Sequence, residues 1–168
     1  MYYQTNQQFI KMLNNISAML DKVVSFSEEK KISPEVILNS RLAPDQFNLI
    51  RQIQVCCDSA KLGMARMTEK VPPKNEDNEK TVEEIKARIQ STVDYLSSLT
   101  EDDFKESKNK KVEFPFRICF YVSGEEAFIE FLIPNFYFHV TTAYSIIRHN
   151  GLNVGKADYA GDMPFKAL

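Results

Sequence analysis

The feature that most constrains the fold is an apolar repeat with helical spacing near the start of the chain. Its residues lie three or four positions apart and mark one helix face: Phe9, Met12, Leu13, Ile16, Met19, Leu20, Val23 and Val24. No glycine or proline interrupts them. The repeat predicts a long amphipathic helix over residues 5–31. Ser33-Pro34 ends it, because a residue before proline avoids helical angles. A short helical turn is expected over residues 34–39.

A second long helix is predicted to start near Pro44, since proline suits the first helical turn. Its expected inner face carries an amide and a thiol among apolar residues: Phe47, Ile50, Ile53, Gln54, Cys57, Met64 and Met67. Those polar groups need hydrogen-bond partners or a cavity if they are buried. Gly63 weakens the helix by roughly 1 kcal/mol relative to alanine, and its missing side chain allows a neighbouring helix to approach closely.

A loop followed by a capping box marks the start of the third helix. The segment VPPKNEDNEK, residues 71–80, is predicted to be a solvated loop. Thr81 followed by Glu84 matches a capping box, in which each side chain bonds the backbone N–H of the other residue. The helix that follows is expected to run to Leu99.

The character of the chain changes in residues 112–122, VEFPFRICFYV, which are rich in β-branched and aromatic residues. Pro115 cannot donate a hydrogen bond to a sheet, so an edge strand or a short hairpin is expected. This β element directly precedes the last helix, and we expect it to cross the end of a helical bundle.

The last helix is predicted over residues 125–149. Ser123 with Glu126 forms another capping box at its start, and an Asn-Gly pair ends it. Pro134 lies well inside this helix and removes one backbone hydrogen bond. We therefore expect a kink there, which costs roughly 3 kcal/mol if nothing compensates for it.

Four long helices and one small β element predict an all-α four-helix bundle. We expect one domain over residues 1–168, with a C-terminal arm at its end. The net charge of −2 favours neither nucleic acid nor an anionic membrane as a partner, and the apolar runs are too interrupted to span a bilayer. The three cysteines, Cys56, Cys57 and Cys119, are typical of reduced thiols in a cytoplasmic protein.

Three segments resemble a bacterial and fungal family of unknown function: LAPDQFNLIRQIQVCCDSAKLGMARM (42–67), IPNFYFHVTTAYSIIRHNG (133–151) and NVGKADYAG (153–161). That family belongs to the DinB-like, or YfiT-like, superfamily of metalloenzymes. The resemblance covers nearly the whole chain. It implies a four-helix bundle of the DinB/YfiT-like type, often assembled as a homodimer.

The resemblance also implies a position for a metal site. Superfamily relatives hold nickel or zinc on three histidines, two of them four residues apart on the last helix. His139 falls on the second of that pair and Asn135 on the first. The remaining position falls near Gln54, with Asp58 one turn later. Asparagine and glutamine bind these metals weakly, so the site is expected to be degenerate. Asp58 or Cys57 would strengthen it if they converge on it.

Each of these residues also has a structural interpretation. Gln54, Asn135 and His139 together would form a buried hydrogen-bond network, the polar floor of an apolar pocket. Three interpretations are open for His139 by itself: a packed core residue, a metal ligand or an acid–base group. Cys57 is a pocket thiol and possible nucleophile, or is inert if burial raises its pKa. Asp58 forms a salt bridge in the alternative interpretation.

Two tyrosines complete the candidate pocket. Tyr137 and Tyr144 are seven residues apart and share one face of the last helix. They line a pocket, or else they pack in the core or in a dimer contact with each phenol reaching a partner.

Two functional hypotheses follow. In the first, a dimer binds a small molecule in a polar-floored pocket whose metal site is degenerate. In the alternative, a metal-dependent small-molecule enzyme of the thiol transferase or isomerase type uses His139, with nickel or zinc as a Lewis acid. Catalytic residues are not assigned. Neither hypothesis involves nucleic acid or a membrane.

Overall fold

Four long helical stretches dominate the structure, a computed structural model that describes residues 1–114 and 119–166. The elements follow in chain order: α1 (Tyr2–Lys30), α2 (Pro34–Leu38), α3 (Leu49–Thr68), α4 (Val82–Ser97), β1 (Lys111–Glu113), β2 (Tyr121–Ser123), α5 (Gly124–Glu126), α6 (Ile133–His149) and α7 (Lys156–Ala160). Two 3-10 turns, Glu101–Phe104 and Ser107–Asn109, precede β1. A π-helical segment, Ala127–Leu132, joins α5 to α6 without a break.

The long helices pack as the predicted four-helix bundle, in which α1 and α3 each contact both α4 and α6. The rings of Phe9 and Phe136 stack with centroids 3.9 Å apart and join α1 to α6. The buried Asn6 amide donates to the Leu96 carbonyl over 2.9 Å and joins α1 to α4. Fully burying a side chain as large as Phe9 stabilises a fold by about 1.5–3 kcal/mol. Apolar contacts such as the one between Phe9 and Phe136 therefore contribute much of the stability of the bundle.

Gly63 permits the close approach that its sequence position suggests. An added Cβ atom at this residue would overlap the side chain of Leu132, which presses against α3 from the π-helical segment. The glycine therefore weakens its own helix but brings the last helical stretch against α3.

The predicted capping boxes at α4 and α5 are confirmed. Thr81 accepts from the Glu84 N–H, Ser123 accepts from the Glu126 N–H, and both reciprocal bonds are present. After α6, Gly151 has a φ of 91°, the left-handed conformation that makes glycine suitable past a helix end.

The start of α3 differs from the prediction near Pro44. The helix begins at Leu49, because Asn48 is its N-cap and accepts from the Arg51 N–H over 3.1 Å. Phe47 precedes the helix and is 50% exposed, so it does not belong to the inner face. A side-chain cap determines this boundary more strongly than the proline that precedes it.

Pro134 is accommodated by the π-helical segment. The N–H of Ile133 donates to the carbonyl of Phe128, five residues back rather than four. This wider turn changes the hydrogen-bond register directly before the residue that has no N–H to donate. The helical stretch over residues 124–149 is therefore continuous through the position where we expected a kink.

The β element is an antiparallel hairpin, with Val112 opposite Val122. Pro115, on which the edge-strand prediction depended, lies outside the described residues. In the C-terminal arm, Lys22 forms a 2.6 Å ion pair with Asp158 and fastens α7 to α1. In the described parts of the chain, none of the helices combines the length and apolarity that crossing a membrane requires.

Candidate functional site

His139 is buried in α6 and bonds to Gln52, a residue that the sequence interpretation did not consider. Its Nδ1 lies 2.7 Å from the Gln52 side-chain oxygen. The Gln52 amide nitrogen donates to the Phe47 carbonyl over 3.2 Å. Because a carbonyl oxygen only accepts, this second bond orients the amide and makes His139 Nδ1–H the donor. Neutral His139 then has its lone pair on Nε2.

We expect neutral His139 to make the protein less stable in mild acid. Burial, assisted by the nearby positive charge of Arg51, lowers the pKa of His139. The folded-state pKa thus lies below the unfolded value of about 6.5. The unfolded chain then binds more protons, so the free energy of unfolding falls as the pH drops through that value. In urea unfolding at about pH 7.5 and about pH 5.5, His139→Gln should lose less stability than the native chain.

The control for this experiment is His149→Gln, which removes the exposed histidine at the end of α6. This variant should keep the acid sensitivity of the native chain. An equal loss of stability in the native protein and in His139→Gln would contradict a buried, neutral His139.

The other predicted metal residues have separate hydrogen-bond partners. The Asn135 amide donates to the Ser59 hydroxyl over 2.7 Å. The Gln54 amide donates to Glu79 over 2.8 Å. Asp58 accepts from Arg88. None of these bonds joins the residues to one another or to His139, so they do not form the single polar floor that the sequence suggested.

Gln54 and Asp58 instead belong to an ion network, here called the Arg88 cluster, which comprises Arg51, Gln54, Asp58, Lys61, Asp77, Glu79 and Arg88. The Arg88 side chain is 1% exposed, and its guanidinium contacts Asp58 at 2.8 Å, Asp77 at 2.6 Å and Glu79 at 3.0 Å. Arg51 also pairs with Asp77, and Lys61 with Asp58. The cluster therefore ties the loop between α3 and α4 to both helices.

The cluster also accounts for the ionisation of Asp77. Burial alone would raise the pKa of this carboxyl, but hydrogen bonds from Arg51 and Arg88 hold its pKa below the ordinary value. Asp77 is thus charged and paired with two cations at neutral pH. Asp58 also contacts two cations, Arg88 and Lys61.

The residues at the predicted metal position fit a transition metal poorly. His139 is the one imidazole among them, and its hydrogen bond to Gln52 would orient Nε2 as second-shell contacts do in metal sites. Asp58 is neutralised by its cationic partners, and the two amides are weak ligands. Within residues 1–114 and 119–166, no three or more His, Cys, Asp or Glu side chains gather where they could hold a metal ion. Metal binding stays a prediction from resemblance.

The predicted pocket residues Cys57, Tyr137 and Tyr144 do not line the main cleft of the structure. Cys57 is fully buried, and burial raises the pKa of its thiol to about 12, so it is inert as a nucleophile. Tyr137 packs edge-on against Phe136, with ring centroids 5.4 Å apart. Tyr144 contacts Tyr159 of α7 and lines only a shallow depression of about 260 Å³.

A larger cleft lies elsewhere, between the hairpin and the beginning of the last helical stretch. This hairpin cleft has a volume of about 620 Å³. Among the residues that the structure describes, its lining is mostly apolar and includes two carboxylates: Phe114, Phe120, Tyr121, Val122, Glu126, Ala127, Glu130 and Phe131. The rings of Phe114 and Phe131 meet edge to face at 4.9 Å and join the two walls. Phe120 is 70% exposed and Tyr121 is 59% exposed.

A small cavity of about 30 Å³ adjoins the cleft on the side of α3 and shares Phe114, Ala127 and Phe131 with it as lining residues. Arg66, from α3, lines this inner end. Its guanidinium carbon lies 5.4 Å from the centre of the Phe114 ring, which is a cation–π contact. The cleft thus has apolar walls and a cationic inner end.

Comparison with a solved structure agrees with this architecture. A crystal structure of a DinB family member protein from Shewanella denitrificans superposes with a TM-score of 0.94. The two chains are 50% identical, and the match covers 97% of this chain and 93% of that one. Together with the four packed helices and the hairpin before the last of them, this match defines a DinB-like bundle.

The family is equally clear from sequence. Residues 1–160 match the family described as Domain of unknown function (DUF1993). The chain belongs to this family, which confirms the predicted resemblance. No curated protein matches the chain.

Proposed function

We propose that this DinB-like bundle binds an apolar small molecule in the hairpin cleft. The observation that carries the proposal is the cleft itself, a space of about 620 Å³ walled by aromatic side chains. Small-molecule sites typically enclose about 300–1,000 Å³ and are lined mainly by hydrophobic and aromatic groups. The cleft meets both criteria, whereas the depression beside Tyr144 has a volume of only about 260 Å³.

The exposure of the cleft's aromatic residues also supports a bound ligand. Phe120, Tyr121 and Phe131 are 70%, 59% and 38% exposed, and all three line the same space. Contiguous exposed apolar surface is unfavourable in water and commonly marks a binding site. The π-helical segment forms one wall, and such segments are frequent at functional sites.

The homodimer and the cytoplasmic location are further parts of the proposal. Ile129 and Phe138, on the last helical stretch, are 44% and 56% exposed, and a second copy of the chain would cover such side chains. Cys56 and Cys57 are buried free thiols, as a reducing compartment would maintain them. The metal-dependent enzyme has weaker support, because its predicted ligands bond to other partners.

Titration with N-phenyl-1-naphthylamine, a neutral dye that fluoresces in apolar surroundings, tests the proposed function. We expect saturable binding at one site per chain with a Kd of about 10 μM or below. Val122→Trp should weaken binding about tenfold or more, because Val122 lines the cleft and a larger ring would fill part of it.

The matched control is Val36→Trp, at a 55% exposed position of α2 that does not line the cleft. It should leave the dye affinity unchanged. If the native protein does not bind the dye, or if both tryptophan variants bind it as the native chain does, the hairpin cleft is not the ligand site.

A further inference from the structure

Arg66 places a positive charge beside the inner end of the hairpin cleft, whose walls are mostly apolar. It is partly buried and lines the small cavity that adjoins the cleft on the side of α3. Burial lowers the pKa of its guanidinium, which nevertheless stays charged at neutral pH. A partly desolvated cation gains more from a nearby anion than an exposed one does.

Arg66 has no acidic partner in the described parts of the chain, where its contact is the Phe114 ring. Two other arginines of the bundle differ in this respect. Arg51 pairs with Asp77, and Arg88 contacts Asp58, Asp77 and Glu79. The guanidinium of Arg66 therefore retains donors for an anion, in the planar arrangement that suits a carboxylate, sulfonate or phosphate.

We propose that the ligand of the hairpin cleft is an amphipathic acid, whose anionic group pairs with Arg66 while its apolar body lies between the hairpin and the last helical stretch. This inference rests on the proposed function, because it assigns a ligand class to the same cleft. Charge complementarity selects this class over neutral apolar molecules.

The carboxylates of the cleft determine which way the acid lies. Glu126 and Glu130 are exposed, whereas Arg66 is partly buried. The Glu126 carboxylate already accepts from the Ser123 N–H at 2.8 Å and from its hydroxyl at 2.7 Å. An anionic group at this outer side would meet like charges, so the acid group belongs at the inner end. The apolar body then extends past Ala127 toward the aromatic wall.

Two dyes of nearly the same shape test this inference. 8-Anilino-1-naphthalenesulfonate is N-phenyl-1-naphthylamine with a sulfonate added. We expect Arg66→Gln to weaken binding of the sulfonate dye about tenfold, the loss of one charge-assisted hydrogen bond. Binding of the neutral dye, which carries no anion, should weaken much less, so the ratio of the two affinities should change by about fivefold or more.

Two further variants isolate the role of the charge. Arg66→Lys should retain most of the sulfonate affinity, because it keeps a cation at the inner end. Arg41→Gln removes an exposed arginine outside the cleft and should leave both dyes unaffected, which excludes an effect of net charge. Circular dichroism and thermal unfolding establish that each variant is folded.

The outcomes separate the two proposals. No binding of the neutral dye to the native protein overturns the proposed function and the acid with it. If the neutral dye binds but Arg66→Gln leaves sulfonate affinity unchanged, the cleft stands as a ligand site and the acid inference is wrong. An equal loss for both dyes in Arg66→Gln also overturns the inference, because Arg66 would then shape the cleft rather than pair with an anion.

Discussion

Replacing Arg88 by methionine is expected to lower the free energy of unfolding by about 3 kcal/mol, as breaking a buried ion pair does. The Arg88 side chain is 1% exposed and contacts carboxylates from α3 and from the loop before α4. Methionine fills similar space but leaves Asp58, Asp77 and Glu79 without their shared cation. Urea unfolding at neutral pH measures the change.

Lys86→Met is the matched control, because it removes a cation two residues earlier on the same helix. Lys86 pairs with Asp21, but the side chains are 34% and 64% exposed, so its loss should cost about 1 kcal/mol or less. The loop over residues 71–80 should also be cleaved faster by trypsin in Arg88→Met than in Lys86→Met. Similar stability in the two variants would show that the Arg88 cluster does not hold the loop.

Gly124→Ala is expected to lower the free energy of unfolding by about 3 kcal/mol, at the upper end for overpacking. An added Cβ atom would overlap the backbone carbonyl of Ser107, which cannot rotate away as a side chain would. Gly124 is also fixed in place, because its N–H donates to the Lys110 carbonyl over 2.7 Å. The variant should therefore shift the start of α5, and dye binding in the hairpin cleft should weaken with it.

Gly155→Ala provides the comparison for this prediction. No atom lies within 4 Å of the position where its Cβ would be, and its φ of −140° is ordinary for alanine. The change should alter the free energy of unfolding by less than about 1 kcal/mol. If Gly124→Ala proves as mild as Gly155→Ala, Ser107 does not pack tightly against the start of α5.

Local signals were sufficient to predict most of the fold. The repeat in α1 and the capping boxes at Thr81 and Ser123 place helices correctly, because each depends on residues within a few positions of one another. The start of α3 was placed too early, since two competing signals lie close together there. Asn48, with a side chain that bonds the first free N–H groups, determines the boundary, and Pro44 precedes it.

The partner of His139 was missed because the helix buries two amides. Gln54 lies on the predicted inner face and is 4% exposed, and Gln52 is 1% exposed. Gln52 lies one turn after Leu49 and one turn before Cys56, which are both buried. The apolar pattern of the helix does not distinguish which of the two amides meets His139, because that depends on how α6 packs against α3.

The hairpin cleft could not be predicted because its walls are distant in sequence. Phe114 follows β1, Phe131 belongs to the π-helical segment, and Arg66 comes from α3. No short motif connects these residues, and their proximity depends on how the hairpin folds onto the bundle. The aromatic content of residues 112–122 was the one available signal, and it was interpreted only as strand propensity.

Locating a bound ligand directly tests the central claim, that the hairpin cleft is the ligand site of this bundle. Crystals grown with 1-bromonaphthalene, a neutral ligand of suitable size, would show the bromine by its anomalous scattering. We predict a single strong peak in contact with Val122, Ala127 and Phe131. A peak beside His139 and Gln52 with none in the cleft, or no peak at a saturating concentration, would contradict the claim.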